Sequence, residues 1–94
     1  MPVNKQSWVD ARELFSALAE ILGFSEHDLE EPGPFDRVFK LEARAEQARR
    51  TGRLTRYTRK HAKSGAVLGY LYKREDVVRF VKAQPALLAP AWRT

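Results

Sequence analysis

A one-signed block of charge lies in the middle of this 94-residue chain. The 28 residues from Gln47 to Arg74 include no aspartate or glutamate. The nine bases of this block are Arg49, Arg50, Arg53, Arg56, Arg59, Lys60, Lys63, Lys73 and Arg74. Like charges at this density repel one another, so such a cluster is typical of a surface that meets a polyanion, most often a phosphate backbone. The block therefore predicts phosphate binding, and a solvated basic face without a partner is the alternative.

The two ends of the chain do not share this charge. The first 46 residues hold ten acids against five bases, and the last 20 residues hold two acids against three bases. The three segments carry −5, +9 and +1, so the net charge of +5 understates the local charge of the middle segment. This asymmetry favours a binding surface confined to the middle of the chain.

Residues that would indicate catalysis or a metal centre do not form a pattern. The absence of cysteine excludes a disulfide framework and a thiolate zinc site. No serine, histidine and acid set has a nucleophile context, and Lys63-Ser64-Gly65 lacks the glycine spacing of a phosphate-binding loop. His27 and Glu31 are four residues apart but have no third strong ligand nearby. We therefore expect no enzyme, no cofactor and no metal.

Helical patterns precede the basic block and must position it. Asp10 is an N-cap candidate, and Glu13 stands at the third helical position of a capping box. The apolar stripe of this first helix is Leu14, Leu18, Ile21 and Leu22. Gly23 is expected to end the helix, because glycine adopts the left-handed conformation of a C-terminal cap.

Two further helices are predicted before the end of the acidic half. A short acidic helix runs from Ser25 to about Glu31, since serine and aspartate stand three residues apart at its start. Pro32-Gly33-Pro34 is expected to stop it and to act as a connector. The third helix runs from Phe35 to Thr51 and closes on Gly52. Its apolar positions are Phe35, Val38, Leu41, Ala45 and Ala48.

The basic block continues into a predicted hairpin. Leu54–Lys60 and Val67–Tyr72 are rich in residues that favour strands, and they flank the small polar loop 61–66. Alternation places cations on both faces of the first strand, so we expect the hairpin to project from the body. A last helix is predicted from Glu75 to about Ala83, before Pro85.

The chain is thus predicted to be a single domain, 1–94, of the mostly helical α+β class. Residues 85–94 form a proline-punctuated tail that holds Leu87, Leu88 and Trp92 and either packs back on the domain or docks a partner. The first ten residues hold no apolar, signal-like stretch. We expect a cytoplasmic protein that does not contact a membrane.

Three strings of residues carry a resemblance to a known family. They are Val9-Asp10-Ala11-Arg12-Glu13-Leu14, Ala48-Arg49-Arg50-Thr51-Gly52-Arg53-Leu54 and Tyr70-Leu71-Tyr72-Lys73-Arg74-Glu75-Asp76-Val77. They resemble the first helix, the basic turn into the wing, and the wing's return strand with the following helix in excisionase and MerR-like winged helix-turn-helix domains. The resemblance implies double-stranded DNA as partner, a location at the nucleoid, and a role as transcriptional regulator, excisionase-like factor or architectural factor. Whether the protein acts as a homodimer is left open.

One departure from the family shifts the expected DNA contacts. The acidic segment 25–31 stands where the family places its recognition helix, and carboxylates repel phosphates. The candidate nucleic-acid-binding residues therefore lie at the end of the third helix and on the hairpin: Arg44, Gln47, Arg49, Arg50, Arg53, Arg56, Arg59, Lys60 and Lys63. Gln47 has an amide suited to a base edge, whereas the arginines suit guanine or phosphate.

Two alternatives to duplex binding follow from other residues. Tyr57 could stack on an unpaired base, which would favour single-stranded nucleic acid or RNA; a half-buried position in the hairpin is the plainer interpretation. A protein-interaction module that binds a polymerase or a recombinase is the other alternative. Its candidate partner-binding residues are Glu26, Asp28, Glu30 and Trp92.

Overall fold

The computed structural model describes residues 7–84. It has the α+β architecture that the sequence predicts, with three α-helices and one three-stranded antiparallel sheet. The helices are α1 (Leu14–Ile21), α2 (Pro32–Arg50) and α3 (Arg74–Lys82). The strands are β1 (Trp8–Asp10), β2 (Tyr57–Lys60) and β3 (Val67–Lys73). The predicted tail, including Trp92, lies outside the described residues.

The sheet contains a strand that the sequence analysis missed. Its order is β1-β3-β2, so β3 is the central strand. Val9 of β1 pairs with Tyr72 of β3, and Asp10 pairs with Leu71. The predicted two-stranded hairpin is present as β2 and β3, but the prediction lacked the third strand, β1. Three residues are too short to display a period of two, and β1 acquires its partner only when the chain returns more than 60 residues later.

The first helix begins and ends as predicted. The Asp10 carboxylate accepts the backbone N–H of Arg12 at 2.8 Å, so Asp10 is the N-cap. The first turn, Ala11–Glu13, is a 3-10 turn that leads directly into α1. At the other end Gly23 has φ +83°, and Phe24 donates its N–H to the carbonyl of Ala19 at 2.9 Å. This is the bond that closes a helix on a left-handed residue.

The acidic segment is much less helical than predicted. The Asp28 carboxylate accepts the N–H of Ser25 at 2.8 Å, and the Ser25 hydroxyl accepts the N–H of Asp28 at 3.2 Å. The predicted cap is thus confirmed, but it opens only a single 3-10 turn, Asp28–Glu30. The prediction of a second helix from Ser25 to about Glu31 is therefore wrong, because three residues after the cap the chain already becomes extended at Glu31.

Pro32-Gly33-Pro34 was predicted to be a connector. In the structure it forms the first turn of α2 instead. Proline suits this place because the first N–H groups of a helix have no partner within it, and its fixed φ is already helical. The helix therefore begins three residues earlier than predicted and ends at Arg50, one residue before the predicted end. Gly52, with φ +79°, follows it as predicted.

The three helices enclose one apolar core against one face of the sheet. The largest fully buried side chains are Leu18, Leu41, Val38 and Val77. Val9 and Tyr72 contribute from the sheet, and Leu54 contributes from the segment before β2. Among the described residues the core includes no charged side chain. The cations of the basic block are consequently all displayed outside the core.

Candidate nucleic-acid interface

The β2–β3 hairpin, residues 57–73, carries most of the predicted site. Tyr57 pairs with Leu71, Thr58 with Tyr70 and Arg59 with Gly69. The next pair is Lys60 with Val67, so the register shifts and Leu68 has no partner on β2. Such a bulge bends a strand and increases its twist, which changes the direction of the hairpin beyond it.

The loop at the end of the hairpin is held by one side chain. His61 Nδ1 accepts the backbone N–H groups of Lys63 and Ser64, each at 3.2 Å. The backbone of His61 donates to the carbonyl of Ala66 at 2.8 Å and accepts from Gly65 at 2.9 Å. The imidazole serves as the acceptor of a small cap, so Nδ1 carries no proton in this arrangement. His61, expected to be only one more polar residue of the loop 61–66, orders the loop that carries Lys63.

The five cations between residues 53 and 63, from the turn before the hairpin to its loop, are exposed and form no ion pair with a carboxylate in the described part of the chain. Within residues 7–84, no aspartate or glutamate oxygen lies within 4 Å of any of them. They are Arg53, Arg56, Arg59, Lys60 and Lys63. The Arg56 guanidinium is the one held most firmly, because its central carbon lies 3.9 Å from the centroid of the Tyr70 ring. Exposed cations that form no ion pair are available to an anionic partner.

Two predicted cations at the end of α2 are already engaged by a carboxylate. Glu46 accepts hydrogen bonds from Arg49, at 3.1 Å from Nε, and forms an ion pair with Arg50 at 3.5 Å. The hydrogen bond from the Arg49 side chain lowers the pKa of Glu46, and the charges of Arg50 and Arg56 act in the same direction. Glu46 therefore already engages Arg49 and Arg50, two residues that were predicted to contact nucleic acid, and this pairing was not predicted.

The remaining predicted residues of α2 face the end of α3. Arg44 donates from Nη1 to the side-chain carbonyl oxygen of Gln84 at 3.2 Å. Arg44 and Gln47 line a cleft of about 210 Å³ together with Arg53, Phe80 and Gln84. Arg53 thus links this cleft to the turn that precedes the hairpin. The predicted residues thus form three groups: the cations of the hairpin and of the turn before it, Arg49 and Arg50 on Glu46, and Arg44 and Gln47 beside α3.

The tyrosines have distinct environments. Tyr57 is half-buried, with its ring centroid 5.5 Å from that of Trp8 in a perpendicular arrangement, and the Lys73 ammonium lies 5.3 Å from its centroid. Tyr72 is buried in the core, and this burial raises its pKa. Tyr57 therefore packs on the sheet as the plainer interpretation expects, while Tyr70 is exposed beneath Arg56.

The predicted partner-binding acids are only partly available. Asp28 is engaged in the reciprocal cap with Ser25, and the hydrogen bond from the Ser25 backbone lowers its pKa. Glu30 lies 3.4 Å from His27 Nδ1, on the exposed side of the 3-10 turn. Glu26 is exposed, with no ion pair in the described part of the chain.

Two exposed aromatic residues of α2, Phe35 and Phe39, are a further feature that was not predicted. Phe35 was assigned to the apolar stripe of its helix but is 47% exposed, and Phe39 is 56% exposed. Their rings stack at 6.4 Å, and Phe15 of α1 lies 5.3 Å from Phe35. The signal was present in the spacing, because Phe39 lies off the row formed by Val38 and Leu41.

Compared with protein-family models, curated proteins and solved structures, the chain matches none. Within residues 7–84 no three histidine, aspartate or glutamate side chains converge as metal ligands. In the same range, the helices are too short or too polar to cross a bilayer. The candidate site is thus defined by its own geometry: a bulged cationic hairpin next to the basic end of α2.

Proposed function

We propose that this protein binds double-stranded DNA, using the β2–β3 hairpin as the wing of a winged helix-turn-helix. One observation supports this above the others: the five cations from Arg53 to Lys63 are exposed and have no carboxylate partner among residues 7–84. A charge cluster of this kind is unfavourable in the free protein and becomes favourable when phosphates replace condensed counterions.

The order of elements supports the same proposal. The chain passes from a short strand through two helices into a hairpin and a last helix. Arg56 and Tyr72 line one cleft with Glu46, so the base of the basic hairpin lies beside the C-terminal half of α2. In this arrangement the hairpin follows the phosphate backbone while the end of α2 reaches a groove. Gln47, exposed on α2, is the proposed base-reading side chain, and Arg44 and Arg50 flank it one helical row away.

The N-terminal half of α2 is proposed to lie away from the DNA. Its exposed residues include Phe35, Asp36 and Phe39, and Asp36 forms an ion pair with Lys40 at 2.9 Å. Neither aromatic rings nor a carboxylate favours contact with phosphates. The acidic 3-10 turn that precedes it strengthens this polarity, so the basic end of the molecule would approach the polyanion first.

A salt titration with labelled duplex tests the proposal. Contact with five phosphates should give a slope of about −4 to −5 in a plot of log K against log salt concentration. Lys60→Gln and Lys63→Gln should each reduce the slope by about 1. Lys82→Gln, which removes an exposed lysine from α3, is the matched control and should leave the slope unchanged. A flat slope, or no binding at low salt, contradicts the proposal.

This function would place the protein at the nucleoid in the cytoplasm, as a regulator, excisionase-like or architectural factor. Duplex DNA is favoured over single-stranded nucleic acid or RNA because Tyr57 packs against Trp8 instead of standing free for stacking. A preference for unpaired probes in direct competition would reverse this choice. Binding as a homodimer would appear as two steps of occupancy on paired half-sites.

Docking of a protein partner is a second proposal, favoured by the exposed Phe35 and Phe39 pair beside the acidic turn. Polar rims around exposed aromatics are typical of interaction surfaces. Charge reversal at Glu26 and Glu30, which spares the Asp28 cap, should then reduce capture of a basic partner such as a recombinase while DNA affinity is kept. Unchanged capture would count against this second function.

A further inference from the structure

An apolar pair interrupts the cationic surface of the hairpin. Val67 is 54% exposed and Leu68 is 53% exposed, at the point where the loop enters β3. Ala62 and Ala66 of the same loop are exposed as well. Exposing two large aliphatic side chains to water is unfavourable by roughly 25 cal/mol per Å² of apolar surface, so a partner that covers them is bound more favourably.

The backbone around this pair is fixed, so the pair is displayed in a defined place. Leu68 is the unpaired residue of the bulge between the Arg59–Gly69 and Lys60–Val67 pairs. On its other side the loop is closed by the His61 cap and by the bond from His61 N–H to the Ala66 carbonyl. Because the loop is ordered before a partner binds, less conformational entropy is lost on binding.

The charges beside the pair indicate what covers it. Lys60 pairs directly with Val67 across the hairpin, and Arg59 lies on the other side of the bulge. No carboxylate within residues 7–84 neutralises either cation within 4 Å. An aliphatic pair flanked by cations that form no ion pair among the described residues matches a partner in which the apolar faces of stacked bases lie between two rows of phosphates.

Size decides how such a hairpin can meet a duplex. The minor groove of B-form DNA is about 6 Å wide, while two paired strands alone are about 4.8 Å apart before any side chain is added. A bulged hairpin carrying arginine and lysine side chains does not fit an undistorted minor groove. Aliphatic wedges solve this problem in other proteins by entering between base pairs and opening the groove.

We infer that Leu68, supported by Val67, is a wedge that enters a base step of the bound duplex and bends it. The inference rests on the proposed DNA binding and assigns its consequence: the protein is an architectural factor that deforms its site. Flexible pyrimidine–purine steps cost least to open, so the wedge should prefer TA and CA steps over an A-tract.

Bending is measured by energy transfer between dyes on the ends of a duplex of about 30 base pairs with a central TA step. Full-length protein should bring the ends together by a bend of some 20–90° and should unstack a 2-aminopurine placed at that step. Leu68→Ala should lose the bend and bind roughly three- to tenfold more weakly, with the same salt slope, because no phosphate contact is lost. Leu68→Phe should keep the bend.

Phe39→Ala is the matched control, because Phe39 is equally exposed but belongs to α2. It should leave the bend unchanged, and thermal melting should verify that each variant is folded. Tight binding without a bend, or an unchanged bend in Leu68→Ala, overturns the wedge while the DNA-binding function stands. Absence of DNA binding in the wild type overturns both.

Two other partners could cover Val67 and Leu68, and each would give a different experimental result. Self-association of the DNA-free protein that disappears in Leu68→Ala would assign the pair to a second copy of the chain and overturn the wedge. Leu68-dependent binding to anionic vesicles, with an unbent duplex, would assign it to a lipid surface and overturn it equally.

Discussion

The guanidinium of Arg56 lies over the ring of Tyr70, with 3.9 Å between its central carbon and the ring centroid. Tyr70 is the cross-strand neighbour of Thr58 on the hairpin, so the contact fixes a cation of the segment before β2 against β3. An arginine stacked in this way keeps its N–H groups free to donate while its position is restricted.

Removal of the ring should weaken DNA binding by releasing Arg56. Tyr70→Leu is expected to reduce affinity about two- to fivefold, since an exposed cation–π contact is worth roughly 0.5–1 kcal/mol. Tyr70→Phe keeps the ring and should bind like the wild type. Titration of both variants against one duplex distinguishes loss of the contact from loss of the hydroxyl, and equal affinities of the two would exclude this role of the ring.

Neutralisation of Glu46 should strengthen DNA binding. Glu46→Gln releases Arg49 and Arg50 for phosphates and removes the negative charge nearest to them. We expect affinity to rise by about two- to fivefold at low salt, and the gain to shrink as salt screens the interaction. Glu26→Gln removes the same charge from the acidic segment and should gain less. If both variants gain equally, net charge and not the local ion pairs decides the affinity.

Glu46 should also contribute to acid unfolding. Its pKa is lowered in the folded state, chiefly by the hydrogen bond from Arg49, so it stabilises the fold at pH values above its ordinary pKa. That contribution is lost as the pH falls through the lowered pKa. Because the side chain is 45% exposed, we expect only a few tenths of a kcal/mol. Melting temperatures of Glu46→Gln should therefore fall less than those of the wild type between about pH 5 and pH 3; parallel curves would contradict this.

Alanine at two glycines should have effects of different size. Gly52 has φ +79°, so Gly52→Ala should cost about 1 kcal/mol of unfolding free energy, although open space surrounds the position. Gly33 lies in the first turn of α2, but Pro34 follows it, and a Cβ before proline opposes the helical conformation. The gain in helix propensity from Gly33→Ala is therefore offset, and the free energy of unfolding should change by less than about half a kcal/mol. Urea denaturation measures both, and a loss at Gly33 as large as that at Gly52 would contradict this difference.

The order of the hairpin loop should depend on the acceptor at His61. His61→Leu removes the acceptor for the N–H groups of Lys63 and Ser64, so amide exchange at these residues should accelerate by about threefold or more. His61→Asn offers a shorter acceptor of the kind that caps turns and should retain much of the protection. Hydrogen exchange followed by NMR measures each amide. Equal exchange in the three proteins would mean that the imidazole does not hold the loop.

Local patterns predicted most of the helical structure, and the places where they did not succeed have identifiable reasons. Asp10, Gly23 and Gly52 act over a few residues of backbone, and each lies where its chemistry indicates. Pro32 was predicted to end the acidic helix, although proline is equally suited to the first turn of a helix. Which of the two occurs depends on whether the residues before or after the proline pack as a helix against the core. The Ser25–Asp28 cap formed, yet the residues after it could not extend into a helix because α2 begins at once.

The candidate site divides in the same way. Exposure of the hairpin cations was foreseeable, because alternation placed them on both faces of a strand. The pairing of Glu46 with Arg49 and Arg50 follows helical spacing and could have been found, since residues three and four apart are neighbours. The bulge at Leu68 could not, because register is decided by the partner strand.

The residues alone determined where charge, helix ends and apolar stripes fall along the chain, because these depend on interactions within a turn or two of backbone. Only the folded molecule decided that β1 completes the sheet, that Arg56 rests on Tyr70, and that Leu68 stands exposed among cations. The pairing of β1 with β3 joins distant parts of the chain around the core that contains Leu18 and Leu41, whereas the positions of Arg56 and Leu68 depend on the register of the β2–β3 hairpin. Packing of that core determines which distant side chains become neighbours.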